Sequence, residues 1–260
     1  MALRLCVLAS GSKGNCTVLA TESTRILIDA GLSGKETDRR LREAGLDLAD
    51  VDAICVSHEH DDHKASLGIL QRRLGVPLYS NAGTIEAVER SPKHSGLDWR
   101  VFTNGAPFEV GDLSVEPFSV PHDSYDPVGF VVGTGEARVG IVTDMGTPTE
   151  LIRQRLRGCR AIVMEANHDV AMLRDAARPW SLKQRIAGRQ GHLSNTQAGE
   201  LLAEVAGSHL EVVFLAHLSD DCNRPELAES TVRAALDGSG HTHVRICHTY
   251  TDRISEIVIF

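Results

Sequence analysis

The sequence predicts an α/β fold in one domain spanning residues 1–260, with two mixed sheets packed together and helices on the outside, an αββα sandwich. Three observations carry this expectation. Apolar, β-branched runs alternate with helical patterns along the whole chain, and the mixture occurs twice, as two βαβ-like halves rich in strands. Neither a low-complexity tract nor a Pro/Ser-rich linker divides the chain. A length of 260 residues is enough to bury a sizeable core without disulfides.

Taken in order, strands are expected near 3–9, 16–20 and 25–29, then a helix near 34–44 ended by Gly45. A strand from Ala53 to Val56 follows, and a helix from Asp62 to Leu74 stopped by Gly75 and Pro77. In the middle, Asn104-Gly105 and Val110-Gly111-Asp112 mark hairpin-type turns, and Phe130 to Val132 and Ala137 to Thr143 read as adjacent strands. The later part gives a strand at Ala161 to Glu165, a helix at Asn195 to Ala206, a strand at Glu211 to Ala216 and a helix near Pro225 to Leu236. Two strands, Val244 to Cys247 and Ile254 to Phe260, finish it.

Apolar residues at 42% and charged residues at 24% are ordinary globular values. No apolar run reaches the ~18 to 20 residues that a membrane helix needs. The first strand begins almost at Met1 and leaves no room for a secretory leader, so a cytosolic location is expected. The six cysteines form no CxxC pair and mostly sit in apolar runs, as reduced structural thiols do; Cys222 is the exception, in the polar stretch Ser219 to Asn223. A net charge of −8 argues against a broad surface coating nucleic acid and leaves room for a local basic groove.

The chemistry starts at His58-x-His60-x-Asp62-His63, directly after the apolar strand ending at Val56. A strand end puts polar side chains where the sheet stops and a pocket can open. His58 and His60 can turn to one point from an extended loop, while Asp62 and His63 open a helix and can face a second point. Imidazole and carboxylate together suit Zn²⁺, Mn²⁺ or Fe²⁺. The bland alternative is a solvated loop with Asp62 as a helix cap. Four ligands cannot complete two sites, so further His and Asp are expected at downstream strand ends, and His122, Asp144 and His217 stand at three of them.

In this order, HxHxDH, lone His, lone Asp and terminal His, the chain resembles the metallo-β-lactamase superfamily along nearly its whole length. The resemblance implies that fold, a hydrolase activity, and two divalent ions. It makes His58, His60 and His122 the first ion's ligands and Asp62, His63 and His217 the second's, with Asp144 bridging. The likeness is closer to the YycJ/WalJ-like branch, related to exonucleases. It rests on Leu8-Ala9-Ser10-Gly11-Ser12-Lys13-Gly14-Asn15-Cys16, Met164-Glu165-Ala166-Asn167-His168-Asp169, Gly191-His192-Leu193-Ser194-Asn195 and Ala216-His217-Leu218-Ser219. Gly191 to Ser194 with Gln197-Ala198 is also similar to the segment of transfer-RNA 3′-processing enzymes that supplies a proton-donating His. Asp220-Asp221-Cys222-Asn223 departs from the asparagine-rich segment expected after the terminal His.

Two ions roughly 3.5–4 Å apart can generate a bridging hydroxide near neutral pH and stabilise the entering and leaving oxygens of a phosphodiester. The departing alkoxide still needs a proton, which an imidazole titrates in the right range to give, and the role is assigned to His192. Asp62 is a further catalytic candidate, and Glu165 or His168 would orient His192. Against these roles stand helix-start readings: a loop before a helix capped by Ser194 or Asn195, and another capped by Asn167 or Asp169. Arg178 to Arg189 carries four cations and Trp180, which suits a phosphate backbone with a stacked base, or equally a solvated basic helix with Trp180 in the core. Ser10 to Asn15 offers amides to a phosphate or is a tight hairpin turn. The leading expectation is a metal-dependent phosphodiesterase, a nuclease acting on nucleic acid with DNA favoured, and the family resemblance implies a 5′-to-3′ exonuclease. The alternatives are a hydrolase of thioesters, lactones or cyclic phosphates, and a non-catalytic metal-binding protein.

Overall fold

The computed structural model describes residues 2–135 and 137–260. The chain opens as an antiparallel meander of β1 (Arg4–Ala9), β2 (Cys16–Ala20) and β3 (Arg25–Ile28). It then turns parallel. Helix α1 (Gly34–Glu43) leads to β4 (Ala53–Cys55), α2 (Asp61–Lys64) and α3 (Leu67–Leu74) to β5 (Leu78–Ser80), and α4 (Ala82–Glu89) to β6 (Trp99–Val101). Parallel neighbours need such crossovers, because a tight turn can join only antiparallel ones.

The second sheet repeats this plan. β7 (Phe108–Val110), β8 (Leu113–Ser119), β9 (Val128–Thr134) and β10 (Ala137–Val142) form the meander. Helix α5 (Glu150–Leu156) leads to β11 (Ala161–Glu165). Then α6 (Val170–Asp175), α7 (Trp180–Ile186) and α8 (Asn195–Val205) lead to β12 (Val212–Ala216), and α9 (Pro225–Gly238) leads to β13 (Arg245–His248). A last strand, β14 (Val258–Ile259), returns to the first sheet and pairs with β1 in the register Arg4 to Ile259.

Alternation along the strands explains the layering. Leu5 and Val7 of β1 join Val163, Phe214 and Ala216 of the other sheet in the core between the sheets, while Cys6 and Leu8 face the layer that holds Leu41 of α1 and Leu70 of α3. In the same way Ile162, Met164, Val213 and Leu215 face Leu201 and Leu202 of α8 and Val232 of α9. With both faces covered, β12 carries an apolar residue at every position and β11 at all but its last, which is why they read as continuous runs.

Both halves, the two sheets and the outer helices follow the expectation, and four local features do not. The helix expected over 62–74 is two helices, because Ser66 turns its amide and hydroxyl onto the Ala30 carbonyl, at 3.0 and 3.1 Å. The strand expected over 254–260 is reduced to β14, because Ser255 instead exchanges hydrogen bonds with Val7, its amide with the carbonyl and its hydroxyl with the amide. Gly111 makes the expected two-residue hairpin between β7 and β8, but the Asn104-Gly105 turn joins β6 to β7, strands of different sheets. Cys222 is buried despite its polar neighbours, like the other five cysteines, all of them free. Among the described residues no helix is long and apolar enough to cross a membrane.

Candidate metal centre

Strand ends deliver the site. His58 follows β4, His122 follows β8, Asp144 follows β10, Glu165 ends β11 and His217 follows β12, all at the carboxyl ends of strands flanking the gap between the sheets. Asp62 and His63 enter from α2. His60, Asp62, His122, Asp144 and His217 line one cavity of about 250 Å³, and His58, His63 and Glu165 bring their donor atoms within 4.8 Å of donor atoms among these. Among the described residues three non-glycine ones hold left-handed backbone, Asp29 (φ 65°), Asp144 (φ 56°) and His217 (φ 54°). Such conformations persist only where surrounding contacts enforce them, and all three fall at this centre.

Hydrogen bonds leave bare lone pairs pointing inward. Ser57 gives its hydroxyl proton to Asp29 Oδ2 at 2.8 Å, so His58 Nδ1 donates to Ser57 Oγ at 3.0 Å and Nε2 is left unprotonated. His122 donates from Nδ1 to the Gly191 carbonyl at 3.1 Å, with the same result. These two Nε2 atoms lie 3.1 and 3.3 Å from His60 Nδ1. Burial lowers the pKa of both His58 and His122, which keeps the rings neutral.

A carboxylate-rich half adjoins them. His63 donates from Nδ1 to Asp29 Oδ2 at 2.8 Å and turns Nε2 to Asp144 Oδ2 at 2.9 Å and Asp62 Oδ2 at 3.5 Å. His217 donates from Nδ1 to Glu165 Oε1 at 3.1 Å, and its buried Nε2, 3.4 Å from Asp62 Oδ2, has no hydrogen-bond partner. Against burial, which lowers them, the neighbouring carboxylates raise His63 well above its ordinary value and His217 to about 10. The buried acids Asp29, Asp144 and Glu165, with Asp62 beside them, demand positive charge.

Beside the cluster, His192 Nδ1 sits 2.6 Å from Glu165 Oε1. Glu165 is fully buried, and its Oε2 accepts from the amides of Met145 (2.9 Å) and Leu193 (3.2 Å). His168 does not reach the cavity. It is buried behind Glu165, its Nδ1 makes no hydrogen bond, and burial lowers its pKa to about 4. Its neighbour Asp169 caps α6, and Ser194 with Gln197 forms a capping box on α8, so both helix-start readings hold while His192 still lines the cavity. Trp180 is 66% exposed, which rules out the core position. Ser10 to Asn15 is the β1–β2 turn, and Lys13 pairs with Asp220 at 2.8 Å.

Two residues were not foreseen. Asp29 reads as the end of β3, yet it fixes Ser57 and His63. Asn15 reads as a turn residue, yet its Nδ2 reaches Asp62 Oδ2 and His63 Nε2, both at 3.0 Å. The available signal was a polar side chain at the close of an apolar strand, the feature that exposed Asp144.

The profile of the beta-lactamase superfamily domain matches residues 24–217. The exodeoxyribonuclease YycJ of Bacillus anthracis is 38% identical over 241 residues, covering 92% of this chain and 91% of its own. The chain belongs to the metallo-β-lactamase superfamily, in its YycJ/WalJ-like branch. The exodeoxyribonuclease WalJ of Streptococcus pneumoniae is 36% identical over 229 residues, 87% of this chain and 85% of its own. Among solved structures, the metallo-β-lactamase fold protein YhfI from Bacillus subtilis superposes with a TM-score of 0.75 at 14% identity, over 100% of this chain and 99% of that one. Zn²⁺-bound PqqB from Methylobacterium extorquens superposes at 0.71 with 18% identity and 99% coverage of both. At these identities the structural likeness establishes the superfamily fold alone.

The donor set fits a divalent metal centre. Tetrahedral ligands about 2.0–2.1 Å from Zn²⁺ lie about 3.3 Å from one another. The Nε2 atoms of His58 and His122 stand 3.1 and 3.3 Å from His60 Nδ1, the spacing of ligands around one such ion, with the lone pairs of His58 and His122 turned inward. The orphaned His217 Nε2 and the carboxylates around it pose the same demand.

Proposed function

We propose that the protein is a nuclease that cleaves DNA from the 5′ end, with a centre of two divalent ions, zinc or manganese, iron being the third candidate. His58, His60 and His122 are assigned to one ion and Asp62, His63 and His217 to the other, with Asp144 shared. When bound, such ions supply an activated water and offset charge at phosphorus. The observation that carries the reading is the His192–Glu165 pair beside these ligands.

A phosphodiester releases an alkoxide, a poor leaving group without a proton. Although burial works against it, the Glu165 carboxylate raises the pKa of His192, so the ring holds a proton near neutral pH. Glu165, although burial raises it, is held at about 2 by His192 and His217 and stays ionised. Nδ1–H remains on Glu165, which leaves Nε2 to donate to the departing oxygen. Thioesters and lactones need such a donor less, and the exodeoxyribonuclease relatives favour phosphodiester chemistry over that alternative. Their names also support DNA as the substrate. We place the protein in the cytosol; its six free, buried thiols suit a reducing compartment.

The test incubates the purified protein, with Mn²⁺ and Zn²⁺ separately, with end-labelled DNA and RNA strands and with lactones. Stepwise shortening of DNA from the 5′ end is expected. Lactone turnover without phosphodiester cleavage would contradict the reading.

A further inference from the structure

Helix α7 buries none of its residues, yet it stands over the cavity. Two ion pairs tie this segment down, one from Arg178, two residues before the helix, and one from Arg185 within it. Arg178 meets Asp221, four residues past His217, at 2.6 Å, and Arg185 meets Asp123, next to His122. Exposed pairs of this kind hold weakly. Arg178 and Arg185 both line the cavity, and Trp180 lies between them in sequence, 66% exposed. An exposed indole on a helix with no buried face makes no contribution to the core. Lys183 and Arg189 complete a run of four cations in twelve residues, in a chain whose net charge is −8.

We propose that α7 grips one unpaired strand of the substrate: phosphates take Arg178 and Arg185 over from Asp221 and Asp123, and a base stacks on Trp180. This rests on the phosphodiester reading above. Carboxylate and phosphate offer a guanidinium the same paired acceptor oxygens, so the aspartates occupy the arginines as substrate phosphates would. A base stacks on an exposed aromatic ring through an open face, which an internal paired base lacks.

The experiment measures binding by the metal-loaded protein of a fluorescein-labelled oligothymidylate with uncleavable phosphorothioate linkages, against the same strand annealed into a blunt duplex, across a salt series. Tighter binding of the unpaired strand is expected. Trp180→Ala should weaken that binding at least about fivefold, the lower bound for one stacked base. Arg178→Ala and Arg185→Ala should each reduce the slope of log affinity against log salt by about 0.7. Asp221→Asn should tighten binding in the wild-type background and not beside Arg178→Ala, which separates a released arginine from a general loss of negative charge. Equal affinity for both probes, an unchanged slope, or unchanged binding in Trp180→Ala would overturn the proposal. If the protein binds the strand as expected but hydrolyses no phosphodiester, the proposed function fails and the grip stands; cleavage with none of these binding effects has the opposite meaning.

Discussion

In the reaction we propose, His192 and Glu165 divide the handling of one proton: the imidazole holds it and the buried carboxylate, 2.6 Å away, aims it. Replacing His192 by Ala should lower turnover of DNA by about 10²- to 10⁴-fold while metal content stays at the wild-type value. Metal analysis beside rate measurement checks this, and full activity would remove His192 from the proton-donor role. Glu165→Gln keeps the shape and removes the charge that raises His192. Because His192 must be protonated to donate, the alkaline limb of the pH–rate profile should move to lower pH; a limb that stays in place would contradict the assignment. Both residues were legible from sequence, as were the seven His and Asp positions, since a strand followed by a His or Asp is a local pattern. Asp29 and Asn15 were not. Their partners lie 34 and 48 residues away, at His63, and only the folded chain brings them together.

Elements aim the site through close backbone contacts. Gly31, after β3, lies so near the start of α2 that a Cβ there would fall 1.7 Å from the Asp62 carbonyl oxygen and 2.6 Å from the Asn15 amide nitrogen. Asn15 in turn donates its amide to that carbonyl at 2.7 Å. Gly31→Ala must push α2 away, at a cost of at least about 1–3 kcal/mol, and carry Asp62 and His63 with it. Thermal unfolding and metal content should both fall; an unchanged metal content would show that Asp62 and His63 do not depend on this contact. Long, capped elements such as α8 were readable because Ser194 and Gln197 mark the start in the chain itself. The break at Ser66 was not, because its cause is the Ala30 carbonyl, outside the helix. The short strands β5 and β6, of three residues each, carry too little pattern to stand out.

Two sheets of like plan, each passing from an antiparallel meander to parallel strands, leave their carboxyl ends at one gap. That repetition was visible as two βαβ-like halves. The return of β14 to the first sheet was not, since two paired residues leave no signature. The arrangement gathers acids and imidazoles from both halves at one buried point, and the positive charge they require is of the kind a divalent metal centre provides. The most direct measurement titrates metal-free protein with Mn²⁺ while counting bound ions and following release of labelled nucleotide from DNA. Cleavage should be absent without metal and reach its plateau as two ions bind per chain. Cleavage by the metal-free protein, or a filled centre with no phosphodiester turnover, would contradict a two-metal nuclease.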